Sequence, residues 1–252
     1  MNALKSHFQR TFSPRMFALG FAALAACVAL TSCEAPGGPL PPENREPFEV
    51  SAPVIDNASL YGEGESIPMP ANVPGRTGQF TNEEVNLFYP QLRRTAQLPE
   101  GVAAADFAPT VLEEASRSSL QERFGFAPDA DGNLPTGCSY VQVTAKVQNT
   151  VDAEAVFDTA QGSFALLNED GTYTSVGTDD PLWQSARDST SPKQYFQVHL
   201  VPHEEREVST LYLVPDEALD DPRLVFIANP GLSGGEGIAG VKAFAIASQL
   251  QK

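Results

Sequence analysis

The run Tyr140-Val141-Gln142-Val143-Thr144-Ala145-Lys146-Val147-Gln148 decides how the chain is read. Val141, Val143, Ala145 and Val147 alternate with Gln142, Thr144, Lys146 and Gln148. A period of two puts the apolar set on one face of a pleated strand and the polar set on the other, so this segment predicts a strand with one buried face. Asn149-Thr150 closes it as a turn. The pattern returns downstream. Phe164 to Leu167 and Tyr173 to Val176 flank Asn168-Glu169-Asp170-Gly171, whose Asp-Gly supplies the positive-φ residue that hairpin turns favour. Phe196, Val198 and Leu200 alternate, Pro202 to Glu205 turns the chain, and Val208, Thr210, Tyr212 and Val214 alternate again, with Leu211 and Leu213 competing for the inner face. Leu224 to Ala228 and Val241 to Ala247 add two further strands. Turn signals recur at short intervals and no βαβ spacing appears, which predicts an antiparallel β-sandwich.

Upstream, Val85, Leu87 and Tyr89 alternate before Pro90, predicting a first edge strand that the proline interrupts. Pro109-Thr110-Val111-Leu112-Glu113 offers a capping box, with Leu112, Ala115, Leu120 and Phe124 on one stripe and Gly125 placed for a C-terminal cap. A peripheral helix over 110–124 is expected, covering an open end or edge of the β domain. From Glu34 to Gln79 the chain holds nine prolines and no sustained period, which reads as an extended tether. The expected organisation is therefore a leader over 1–32, a tether over 33–79 and an all-β domain over 80–252.

The leader is defined by its residues. Lys5, Arg10 and Arg15 come first, then the mostly apolar Met16 to Leu30, then Leu30-Thr31-Ser32-Cys33. An apolar run this short falls below the roughly 20 residues of a membrane-spanning helix. The segment resembles bacterial lipoprotein signal peptides, which implies cleavage between Ser32 and Cys33 and a diacylglyceryl thioether on Cys33. Further acyl chains would make the anchor stable. The mature protein is then expected to be attached to a membrane on its extracytoplasmic side, not embedded in it. Cys27 leaves with the leader and Cys33 is lipidated, so Cys138 has no intramolecular mate and the domain must rely on its core.

The chain of 252 residues carries 32 acidic and 16 basic residues, a net charge of −16. Loss of the leader removes three basic residues and no acidic one, leaving 13 against 32, or −19. Nucleic acid and anionic lipid headgroups are poor partners for such a body, because affinity for either rests on Lys and Arg neutralising phosphates.

Tyr140-Val141-Gln142-Val143 through Val147-Gln148-Asn149-Thr150, Phe164-Ala165-Leu166-Leu167 with Asp170-Gly171-Thr172-Tyr173, and the exit Leu213-Val214-Pro215 together resemble the immunoglobulin-like (telokin-like) extracytoplasmic domains of bacterial lipoproteins. The resemblance spans roughly 138–228. It implies an immunoglobulin-like antiparallel sandwich and an envelope address, and it carries no catalytic residues. Two departures stand out: the usual Pro-Gly-acidic turn reads Pro202-His203-Glu204-Glu205, and the 110–124 helix is an insertion.

Few constellations carry chemistry. Gly235-Glu236-Gly237-Ile238-Ala239-Gly240 matches G-x-G-x-x-G, but the chain after it is too short for the helix, second strand and acidic residue of a dinucleotide fold. Asp129-Ala130-Asp131-Gly132-Asn133 begins like a calcium loop, yet Leu134 stands where the sharp turn needs Gly and Tyr140 where a bidentate Glu belongs, so a turn is expected. His199 and His203, with Glu204 and Glu207, need not share a face, and zinc would require three or four converging ligands. Asp220-Asp221 would point apart on a strand, so paired-carboxylate chemistry has no positive support. Trp183 reads as a plug on the core, on a short helical turn begun by Asp180-Pro181, or as the apolar anchor of a contact surface with Arg187 at its rim and His203 nearby. The expectation is a non-enzymatic binding module with an envelope-protein partner and no catalytic residues, metal, cofactor or dinucleotide. The alternatives are a solute- or cation-binding accessory of an envelope transporter and, third, an envelope hydrolase.

Overall fold

The computed structural model describes residues 54–75, 83–108, 121–122, 127–129, 131–134, 136–189, 191–230 and 240–250. The strands are β1 (Leu60–Tyr61), β2 (Ser66–Pro70), β3 (Glu83–Phe88), β4 (Gln91–Thr95), β5 (Cys138–Asn149), β6 (Ala155–Asp158), β7 (Ser163–Leu167), β8 (Tyr173–Val176), β9 (Trp183–Gln184), β10 (Gln197–Leu200), β11 (Glu205–Pro215), β12 (Leu224–Asn229) and β13 (Lys242–Ala245). Two short helices, α1 (Asp216–Leu219) and α2 (Ala247–Leu250), follow β11 and β13.

The alternating run becomes β5, and it pairs without interruption with β11 from Glu205↔Gln148 to Pro215↔Cys138. The larger sheet runs β2-β3-β5-β11-β9, with β4 also on β5; the second runs β1-β13-β12-β7-β8; β10 and β6 form a separate ribbon. All pairings are antiparallel except the short β1–β13 contact. Val141, Val143, Ala145 and Val147 enter one core with Ile67 and Met69 of β2, Val85 and Leu87 of β3, and Phe164, Phe226 and Phe244 of the second sheet. The protein is an all-β sandwich with little helix.

The competition in β11 is resolved by burial on both sides. Val208, Tyr212 and Val214 face the main core, while Leu211 and Leu213 join Tyr140, Phe107 and Leu182 in a second cluster on the other face of the sheet. Cys138 is buried in that cluster, and burial followed by the nearby Asp216 carboxylate pushes its thiol up to about 11, so it is not a reactive thiolate at neutral pH. A third cluster, Ile55 with Ala165, Val225, Ile227, Val241 and Ala243, includes residues of β7, β12 and β13 in the second sheet. Ile55 N donates to Gly171 O at 2.8 Å, and Gly171 has the positive φ, +82°, expected of the hairpin turn.

Two expectations need correction. Residues 54–75 are not tether: Ile67 and Met69 are 0% and 1% exposed and β2 pairs with β3 through Ser66↔Phe88 to Met69↔Val85. Prolines are compatible with this because β2 is an edge strand, where Pro68 and Pro70 deprive no further neighbour of a donor. β3, conversely, is interior, flanked by β2 and β5. Pro90 does interrupt it. The pairing with β5 slips by one residue between Leu87↔Val147 and Gln91↔Thr144, the signature of an inserted bulge residue. The leader with Ser32 and Cys33 lies outside the described residues, as does the expected 110–124 helix apart from Gln121 and Glu122, which are helical and exposed.

If β2 belongs to the sandwich, Ile67→Ala should lower unfolding free energy by about 2–5 kcal/mol, the usual cost of emptying a sealed aliphatic site. Urea denaturation measures it, and an unchanged midpoint would return 66–70 to the tether.

Candidate functional site

At the end of β5 the chain makes two turns that one side chain holds together. Asn149 is 0% exposed. Its Nδ2 donates to the carbonyls of Ala153 (2.8 Å), Leu200 (3.1 Å) and Val201 (2.9 Å), and its Oδ1 accepts from Val151 N at 3.1 Å. An amide has two N–H hydrogens, so the three carbonyls share them. The 150–154 loop and the Val201 to Glu205 turn are thereby fixed to each other from below.

Above this buried amide the turns are locked by charge. Glu204 Oε2 accepts from Val201 N at 2.8 Å, and Oε1 accepts from Arg206 Nε at 2.9 Å. Arg206 Nη1 reaches Asp188 Oδ2 at 2.6 Å, and the same oxygen accepts from His199 N at 2.8 Å. His199 Nδ1 meets Glu154 Oε1 at 2.9 Å, and His203 Nε2 meets Asp152 Oδ1 at 2.7 Å. His203, with φ +59°, is the one non-glycine residue among those described in the left-handed region. This conformation costs energy and persists where neighbours over-determine it. Val201, 60% exposed, is carried at the tip.

The three residues expected to form one contact surface do not do so. Trp183 is half-buried, sits in β9 opposite Leu211 and packs on the second cluster, so it is a plug and lies on a strand, not on a helical turn. Arg187 ties the 185–195 excursion to the loop at 104–106: Nη1 meets Asp106 Oδ1 at 3.3 Å, Nη2 donates to Asp106 O at 3.0 Å, and the guanidinium stands over the Tyr195 ring at 5.6 Å. His203 lies beyond the Glu205 end of β11, and Glu205 is itself six residues from the Leu211 level, roughly 20 Å along a strand.

The other candidates fall into structural roles. Asp129 accepts from the backbone N of Asp131 (2.9 Å) and Asn133 (2.8 Å) and from Asn133 Nδ2 (2.9 Å), so its carboxylate closes its own turn, and these bonds hold its pKa below the ordinary range. His199 and His203 each engage a separate carboxylate, and among the described residues no group of three or more His, Cys, Asp or Glu side chains is placed to hold a metal. Asp220 pairs with Arg94 and Asp221 with Arg223, at 2.8 and 2.7 Å. Residues 231–239, with most of the glycine-rich loop, lie outside the described residues.

Two polar residues, the buried Gln184 and the half-buried Asp158, gave no functional signal in the sequence. Gln184, 0% exposed, accepts from Thr159 Oγ1 at 2.7 Å and donates to Tyr195 O. Asp158 accepts from Ala160 N at 2.9 Å, yet burial outweighs that bond and raises its pKa.

No family model matches the chain, and no curated protein does. Among solved structures it is similar to the yjhA protein from Bacillus subtilis, at 10% identity over 73% of this chain and 98% of that one with a TM-score of 0.38. It is also similar to an uncharacterized β-sandwich protein from Clostridium difficile 630, at 12% identity over 74% and 92% of the two chains with a TM-score of 0.34. At these scores neither likeness carries an argument about this chain.

Asn149→Ala would strand buried carbonyls on both turns and should cost roughly 3 kcal/mol by urea denaturation; a loss under about 1 kcal/mol would mean that the turns hold without it. Asp158→Asn tests the raised pKa. A carboxyl whose folded pKa lies above its ordinary 3.8 opposes folding once ionised, so stability falls as pH rises from that value through the folded one. The substitution should raise Tm at neutral pH, with the gain vanishing in acid below 3.8; a gain independent of pH would refute that origin.

Proposed function

We propose that this chain is a lipid-anchored protein of the extracytoplasmic cell envelope whose immunoglobulin-like β-sandwich serves as a non-enzymatic binding head. The observation that carries the reading is Leu30-Thr31-Ser32-Cys33 behind a basic and then apolar segment. Thioether lipidation of Cys33, with further acyl chains, would hold the protein at a membrane surface. No helix among the described residues is long and apolar enough to cross a membrane. Residues 34–53 would then link the lipid to a domain that starts near Val54, a shorter connection than the prolines alone suggested.

The binding half of the reading is supported by the Val201 to Glu205 turn. Recognition without chemistry favours a surface whose shape is set before the partner arrives, because ordering on contact subtracts from affinity. The buried Asn149 and the Glu204–Arg206–Asp188 chain set that shape, and Val201 offers an apolar contact at its summit. The envelope partner expected from sequence would meet this turn and the 150–154 loop, not the Trp183 and Arg187 stretch.

Cys33→Ala should move the protein from the membrane to the soluble fraction of cells while leaving the domain folded. Continued membrane retention would argue for a different anchor. A photo-crosslinker at Pro202 should give a discrete adduct in cells that one at Glu63 does not; identical patterns from both positions would discard the turn as the contact site.

A further inference from the structure

The main core is not evenly filled. Between the sheets lies a cavity of about 30 Å³ whose lining includes Ala145 of β5, Ala228 of β12, Gly162, and the side chains of Thr159, Thr210 and Tyr212. Tyr212 is 0% exposed, and its Oη has no hydrogen-bond partner among the described residues. A Cβ at Gly162 would lie 3.0 Å from that oxygen and 2.4 Å from Phe226 Cζ, so the missing side chain is what leaves room beside the hydroxyl. The Tyr212 ring cannot swing to find another partner. It stands edge-on to Phe164 at 5.3 Å and to Phe226 at 5.8 Å. Burial raises the phenol's pKa; the Thr210 side chain, close enough to interact but outside hydrogen-bond geometry, offsets this only in part, so the group keeps its proton to donate.

A wholly apolar hole of this size stays dry, whereas a water molecule enters when it finds polar partners and at least about 10–15 Å³ of room. This cavity meets the space requirement, and within a mostly apolar lining its polar groups are those of Thr159, Thr210 and Tyr212. Thr159 Oγ1 already donates to Gln184 Oε1, which leaves that hydroxyl's lone pairs available to accept.

We infer that the cavity is a built hydration site, holding one water molecule, or at most two, that accepts a hydrogen bond from Tyr212 Oη and donates to the lining threonine hydroxyls. The contact between β11 and the second sheet at this level is then water-mediated, and the bound molecule belongs to the fold as a side chain does. The inference does not depend on the lipoprotein reading.

Crystallography of the full-length protein, at a resolution that orders internal waters, tests it on the wild type and on Tyr212→Phe. The expected result is a peak about 2.7–3.0 Å from Oη in the wild type and its loss in the variant with the ring unmoved. Water-¹⁷O relaxation dispersion in solution should show a long-lived water whose contribution disappears in the same variant. A direct bond from Oη to a protein group, or a cavity that stays dry and takes up xenon in the wild type, would overturn the inference. So would a peak that persists at full height in Tyr212→Phe. If the variant does not fold, the wild-type density and dispersion decide alone.

Discussion

The rest of the structure hangs from the β5–β11 ladder. It is the longest pairing among the described residues; the main core covers one face along its length, and the Tyr140, Leu211 and Leu213 cluster covers the other at the end near Cys138. Every other strand of the larger sheet attaches to it directly or through one neighbour: β3 and β4 on the outer edge of β5, β2 on β3, β9 on β11. A strand buried on both faces cannot slip by one residue without moving each apolar set into the wrong layer. The ladder therefore fixes register for the whole sheet, and the bulge near Pro90 is absorbed in β3 and β4, not in β5.

The ladder also decides where its two ends are closed. At one end Arg94 joins β4 to the start of α1, meeting Asp216 at 2.8 Å and Ser139 Oγ at 3.2 Å. At the other end the closure is Asn149. The ion pairs around it are partly or largely exposed, with the Asp152 side chain 97% accessible, and such pairs contribute about 0–1 kcal/mol each. The buried amide, with four bonds in a site closed to water, dominates that end. Charge at the surface trims the orientation of a turn that a neutral side chain holds.

How much of this could be read in advance depended on whether one local rule acted alone. β10 and the Gln142 to Gln148 stretch of β5 were legible because each keeps one face at least partly exposed, so alternation maps directly to burial, and the β7–β8 hairpin was legible from its Asp-Gly turn. β11 was legible as a strand but not in its facing, since a second layer covers its outer side and makes Leu211 and Leu213 as necessary as Tyr212 and Val214. β2 was missed because prolines signal an extended linker and an edge strand equally well, and only its neighbours separate the two. Asn149 could be recognised as a turn residue, but not as a buried clamp, because its partners Leu200 and Val201 lie about fifty residues away. Trp183, Arg187 and His203 were grouped by residue type, while the β9 pairing assigns them to different places. Gly162 gave no sign at all: its role depends on Phe226 and Tyr212, which pack against it from other strands.

The acidic composition acquires a sharper meaning once the ion pairs are known. Arg94, Lys146, Arg187, Arg206, Arg223 and Lys242 each engage a carboxylate within the domain. Those six cations each neutralise a carboxylate locally, so the field at longer range is set by the acidic residues left in excess. With acidic residues twice as numerous as basic ones, the field around the domain is negative. Polyanions are repelled before any local contact forms, and a cationic surface is attracted from a distance of about a Debye length, roughly 8 Å at physiological salt. Net charge thus selects among encounters before any local contact forms.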